Sequence, residues 1–275
     1  STNLTFSGAV TVTGNNANGN ADAVKVDASN TVTIDGAITA TANAGLNIDI
    51  DPVDVNINAN MTATGQIDVT ASNDVTIDAV AIQADIDGNG GTLNITADDA
   101  TDADGAGDLS ANTISTLRGH TVNLDGFNVT TGVVIADTGD VTITANNEIT
   151  LNNGTTATTA QVVVSATGDD VNIGADISAG TNVDVDATAG SVLQTTGNIL
   201  AGSAVSIDGG TAINLDGTIG DTTAIGTSVS IATNINSPTV TIDGDVTADG
   251  AVTIGGANLT GSVTIGGGGA ATDIT

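Results

Sequence analysis

Two short stretches of this chain carry the residue types for metal chemistry. Asp98 and Asp99, followed by Asp102, Asp104 and Asp108 around Gly105 and Gly107, place carboxylates at near-alternate positions about glycines that permit a sharp turn. Ca²⁺ gathers several oxygen ligands, and such a loop can wrap it. Asp85 and Asp87, in Asp85-Ile86-Asp87-Gly88-Asn89, open a second stretch in the same way. Neither reaches the distal Glu of an EF-hand, so two readings stand: a calcium loop, or a solvated acidic loop. Outward aspartates such as Asp54, Asp68 and Asp184 have two readings as well: cation holders between coils or between rods, or, more plainly, a solvated polar face. His120 close to Arg118 offers a base beside a cation, but no Ser or Cys nucleophile signature surrounds it, and a loop histidine is the plainer reading. Paired carboxylates for glycoside cleavage can be drawn almost anywhere among 32 acidic residues, so their presence carries no information.

The elements that must position these residues are short strands. The chain has 275 residues with two Phe, one Met, no Trp and no Tyr, so a wide globular core lacks its usual filling. A narrow tube of stacked strands is filled by Val, Ile, Leu and Ala alone. Val141, Val162, Val183 and Val205 open strands at regular intervals, and Ile149, Val171, Val192 and Ile213 open a second series. Towards the N-terminus Val10, Val32, Val53 and Val75 form one expected column, and Val24, Leu46 and Ile67 another. A third, fainter strand shows as Ile38, Met61 and Ile82, and again as Ile177, Ile199 and Ile219. Alternation within each triplet sends Val and Ile inward and the middle Thr, Asp or Asn outward. Gly, Asn and Asp between triplets supply corners. The expected fold is all-β: a right-handed parallel β-helix, or β-solenoid, of about 22 residues per coil, roughly 12 coils and three short strands per coil.

Between residues 84 and 121 the ladder breaks, and the simplest expectation is an acidic loop insertion into a single solenoid spanning 1–275. Residues 266–275 read as a flexible Gly-rich tail. Leu4, Phe6, Val10 and Val12 form an N-terminal edge strand that can template another copy.

A formal charge of −30, against Lys25 and Arg118 alone, removes the cationic footprint that nucleic acid or an anionic membrane surface demands. No apolar run is long enough for a membrane-spanning helix. Without Cys there are no disulfides or thiolate metal sites. The chain starts at Ser1 and reads as a processed secreted chain or an excised segment.

The wording GDVTITANNEITLN, GSVLQTTGNILAGSAVSIDGGTAINLDG and GQIDVTASNDVTIDA resembles the repeats of filamentous-haemagglutinin-like adhesins, the β-helical passengers of two-partner and autotransporter secretion. That resemblance implies a secreted stalk or adhesive fibre on the bacterial cell surface, without catalysis. The expectation is therefore an extracellular structural protein, not an enzyme, that partners other copies of itself end to end, with Ca²⁺ as its one candidate cofactor. The alternative is a calcium-stabilised surface-layer or adhesin segment whose insertion binds a cell surface or glycan. A polysaccharide-processing enzyme is the weaker third reading, since an anionic sugar meets a repelling surface.

Overall fold

The computed structural model describes residues 3–14, 21–42, 46–86, 88, 90–97, 107–220, 228–233, 239–248, 250–255 and 263–265. Among them every regular element is a β-strand. The chain divides into two compact units, residues 1–140 and 141–275. Both are parallel β-solenoids with three strands per coil of about 22 residues, one strand for each of three sheets.

In the N-terminal unit the first sheet takes Leu4–Phe6, Thr31–Ile34, Asp54–Ile57, Val75–Ile77, Leu109–Ala111 and Val129–Thr131. The second takes Val10–Gly14, Ile38–Ala42, Met61–Ala63, Ala81–Gln83, Thr116–Gly119 and Val133–Ala136. The third takes Ala21–Asp27, Leu46–Asp51, Ile67–Thr70, Leu93–Thr96 and Val122–Gly126. In the C-terminal unit Val141, Val162, Val183 and Val205 pair in sequence down the third sheet. Ile149, Val171, Val192 and Ile213 do so down the first, and Ile177, Ile199 and Ile219 down the second. All these side chains are buried, so each column is a continuous apolar stack. Every fully buried Val or Ile contributes about 1.5–3 kcal/mol relative to exposure.

Some of the expected register changes. Val10 does not stand over Val32: Leu4 pairs with Val32, and Val10 pairs with Ile38 in the second sheet. Val53 lies just outside its strand, and Val55 takes the inward place between Val32 and Val75. A bulge between Asp22 and Val24 moves Val24 onto Ile48, which then meets Ile67 in place of Leu46. Register follows the parity of burial, because a one-residue slip would turn every inward side chain outward. Equal spacing along the sequence is no requirement, since corners differ in length.

The expected insertion over 84–121 is corrected in the same way. Leu93–Thr96, Leu109–Ala111 and Thr116–Gly119 lie within it, and all three pair in register with strands on both sides. Leu93, Ile95, Leu109 and Leu117 continue the buried columns. The extra sequence falls between these strands, in residues 84–92 and 97–108, of which 87, 89 and 98–106 lie outside the described residues. Counted over the two units, the described residues give the first sheet twelve strands and the second and third eleven each, against the roughly twelve coils expected. Residues 15–20, 221–227, 234–238 and 256–262, and 266–275 where a flexible Gly-rich tail is expected, lie outside the described residues.

Candidate functional site

The long corner 84–92 begins at a strained residue. Asp85 has φ 58°, the left-handed region that side chains other than Gly rarely occupy. Its backbone N–H donates to Gly65 O at 3.3 Å, which fixes it against the preceding turn. The side chain is 2% exposed, and Oδ1 accepts the Gly90 N–H at 2.8 Å. Gly91 beside it must be glycine, because a Cβ there would run into the backbone of Gly65 and Asp85. From the corner 120–121, His120 brings Nδ1 to 3.6 Å from Asp85 Oδ2.

Thr138 Oγ1 lies 2.6 Å from His120 Nδ1 and 3.2 Å from Nε2. A proton relay needs the hydroxyl on one ring nitrogen and the carboxylate on the other. Here both lie nearer Nδ1, so carboxylate, imidazole and hydroxyl form a corner clasp rather than a relay. Arg118, two residues before His120, donates Nε to Asp137 Oδ2 and its terminal nitrogen to Asp137 Oδ1, both at 2.9 Å. These hydrogen bonds raise the guanidinium above its ordinary value; burial opposes them, and the charge of Asp137 adds to the rise.

Of the expected calcium ligands, Asp87, Asp98, Asp99, Asp102 and Asp104 lie outside the described residues. The remaining two are not brought together as a metal set. Asp85 meets an N–H donor and an imidazole where Ca²⁺ would want oxygens. Asp108 Oδ1 accepts both N–H and Nδ2 of Asn128, at 3.2 and 2.8 Å. Among the described residues no group of three or more His, Cys, Asp or Glu is placed to hold a metal ion.

The outward aspartates are likewise engaged with protein donors. Asp54 accepts Thr31 Oγ1 at 3.2 Å and Asn73 Nδ2 at 2.8 Å. Asp68 accepts Gln66 Nε2 and Asn94 Nδ2, each at 2.6 Å. Lys25, Asp49, Asp68, Asn94 and Asn123 form one outward column of the third sheet. Lys25 pairs with Asp49, and Asn123 Nδ2 donates to Asn94 Oδ1 at 2.8 Å. Asp184 is exposed, between Val163 and Ser206.

The expected assembly residues form two strands, not one: Leu4 and Phe6 end the first sheet of the N-terminal unit, and Val10 and Val12 end the second. Leu4 is 40% exposed, and Phe6, Val10 and Val12 are half-buried. Their register partners Val32, Ile34, Ile38 and Ala40 are fully buried. Leu4–Phe6, Val10–Gly14 and Ala21–Asp27 each have one neighbouring strand among the described residues.

A feature of the C-terminal unit was not legible as a site. Corners of three successive turns, joining the first sheet to the second, line an open groove of about 510 Å³. Gly197, Gly217 and Gly244 line it together with Asp216, Asp243 and Asp245. Gln194, fully buried, ties two of these lining residues together, donating Nε2 to Gly197 O at 2.8 Å and accepting the Gly217 N–H at 3.3 Å. Asp-Gly at 216–217 and again at 243–244, one turn apart, was the available signal.

The fold defines a three-sheet parallel β-solenoid, a β-helical repeat protein. No protein family, curated protein or solved structure matches the chain.

Proposed function

We propose that this chain is an extracellular structural protein, a β-solenoid fibre subunit or adhesin stalk of the filamentous-haemagglutinin-like kind, which associates end to end with copies of itself. One observation carries the reading: the coil formed by Leu4–Phe6, Val10–Gly14 and Ala21–Asp27 pairs on one side only among the described strands. It leaves Leu4 exposed and Phe6, Val10 and Val12 half-buried. Such an edge offers unpaired backbone groups and a partly covered apolar column to another strand layer. The Thr-, Asn-, Asp- and Gly-rich surface and the absence of Cys suit an extracellular, bacterial-surface setting.

Negative-stain electron microscopy of the full chain, with millimolar Ca²⁺ and again after chelation, tests this. Filaments that vanish when residues 1–13 are deleted are the expected result. Undiminished filaments from the deleted chain, or isolated particles from the full chain in both conditions, overturn end-to-end joining through this edge. Loss of filaments on chelation would bring calcium into the joints or the acidic corner.

The length and acidity of the sequence between the strands favour a second reading, in which 84–92 and 97–108 bind a cell surface or glycan and the solenoid only displays them. Replacing 97–108 by a short Asn-Gly corner should then abolish surface binding and leave the strand ladder folded.

A further inference from the structure

The corner joining Ile149–Leu151 to Thr155–Ala157 contains Asn153 followed by Gly154. The Gly154 N–H donates to Oδ1 of the adjacent Asn153 at 3.0 Å. That hydrogen bond folds the side-chain amide back over the following peptide nitrogen and brings Cγ, one bond from Oδ1, towards that nitrogen. It also polarises the amide carbonyl. We propose that Asn153-Gly154 is a self-modifying site, at which the backbone nitrogen attacks the side-chain amide and converts the asparagine to aspartate and isoaspartate.

The chemistry needs only water and a solvent base. The Gly154 nitrogen loses its proton to the base and bonds to Asn153 Cγ. The Cγ–Nδ2 bond breaks, and the nitrogen leaves as ammonia after taking up a proton. The product is a cyclic imide. Water then adds to one of its two carbonyls and breaks the corresponding C–N bond. Opening on one side gives aspartate; opening on the other routes the main chain through Cβ as isoaspartate.

Other Asx-Gly corners in the same fold show why this one is singled out. The nitrogen of Gly36, after Asp35, is held by Phe6 O at 2.7 Å, and that of Gly244, after Asp243, by Leu215 O at 3.3 Å. Gly217, after Asp216, donates to Gln194 Oε1, and Gly90 donates to Asp85 Oδ1. In each case the would-be nucleophile points into a bond with a group other than the side chain of the residue before it. At Gly154 it points at the group it would attack. Asn153 and Gly154 are both partly exposed, so base and water reach them. A Cβ built on Gly154 meets only Asp176 O, at 3.9 Å, so the site has room for the imide.

Conversion would add a negative charge to this corner, and isoaspartate would lengthen its main chain by one methylene just before Gly154, one residue from the strand that begins at Thr155. The Thr155 N–H, which donates to Asp176 O on the next turn, is the first ladder bond to feel the change.

The test is peptide mapping by mass spectrometry of the intact folded chain, held in mildly alkaline buffer, with hydroxylamine cleavage to trap the imide and an isoaspartate-specific methyltransferase to count the product. Asn152, in the same corner but followed by Asn153, is the internal reference. Asn153 should convert about tenfold faster than Asn152, as expected when one pair of reacting groups is prealigned and the other is not. Gly154→Ala, which the open space tolerates, should bring the rate down to that of Asn152, and Asn153→Gln should abolish imide trapping there. Equal rates at Asn152 and Asn153, or an Asn153 that keeps its amide while a free peptide of residues 149–157 converts, would overturn the proposal.

Discussion

Asp74 Oδ1 accepts the backbone N–H of Asp108, 34 residues further along the chain, at 2.9 Å. The two residues immediately precede equivalent strands, Val75–Ile77 and Leu109–Ala111, on neighbouring turns. The same bond recurs from Asp108 to Asn128, from Asp170 to Ser191 and from Asp176 to Asn198. Asn47 and Asn60 make it too, to Gln66 and Ala81. These Asp and Asn side chains therefore close donors at the corners, where the strand ladder itself stops.

Replacing Asp74 by Ala should cost about 1–2 kcal/mol, the value of a hydrogen bond to a charged acceptor together with the donor left behind. Asp74→Asn should recover most of it. Because a solenoid opens locally, the sharper readout is hydrogen exchange at the Asp108 amide, which should speed up in Asp74→Ala and hardly change in Asp74→Asn.

The lumen holds hydroxyls with nothing to bond. Thr131 and Thr155 are fully buried, and their Oγ1 atoms have no hydrogen-bond partner. Thr131→Val and Thr155→Val keep the shape and remove the desolvated oxygen, so each should stabilise its unit by about 1 kcal/mol. Chemical denaturation of the single and double variants checks this; a loss of stability in both would mean that the hydroxyls matter to the fold.

Two glycine-to-alanine substitutions should behave oppositely. At Gly217 a Cβ would run into Gly197 O and come to 2.6 Å from Gln194 Nε2, and neighbouring backbone cannot give way cheaply. Gly217→Ala should cost about 1–3 kcal/mol or more through overpacking. Gly154→Ala should be close to neutral, and thermal denaturation separates the two.

Arg118 and Asp137 are 43% and 33% exposed, so water screens their pair. Arg118→Ala should cost less than about 1 kcal/mol, and added salt should shrink the difference. The Arg118 group is held above its ordinary value by the Asp137 hydrogen bonds. Its contribution is therefore complete below the unfolded-state value and is lost only as pH rises through the still higher folded one. Mild alkali should leave the wild-type-to-variant difference unchanged.

With a formal charge of −30, the folded chain works against its own repulsion. Raising sodium chloride from low to physiological concentration should raise the thermal midpoint. A midpoint that falls over that range would show that ion pairing outweighs repulsion.

How far the sequence revealed this molecule depends on corner length. From Val141 onward, corners of similar length keep strands evenly spaced, and the expected columns of Val162, Val183 and Val205 are the observed ones. In the first turns and around residues 84–108 more sequence separates the strands, equal spacing misleads, and it puts Val10 over Val32 where the fold pairs it with Ile38. Leu93 and Leu109 hid in an acidic stretch although their alternation was intact. Asp85 and His120 meet only because strands far apart in sequence stack, a juxtaposition that no local motif announces.

The Asp and Asn captures described at the opening all run one way. Asp74, Asp108, Asp170, Asp176, Asn47 and Asn60 belong to the earlier turn, and the N–H they receive belongs to the later one. A finished turn thus presents side-chain oxygens that ask nothing of it in return and wait for chain not yet laid down. That asymmetry makes the coil a vectorial template: a chain emerging from its N-terminus can be wound on turn by turn, each layer seating the next.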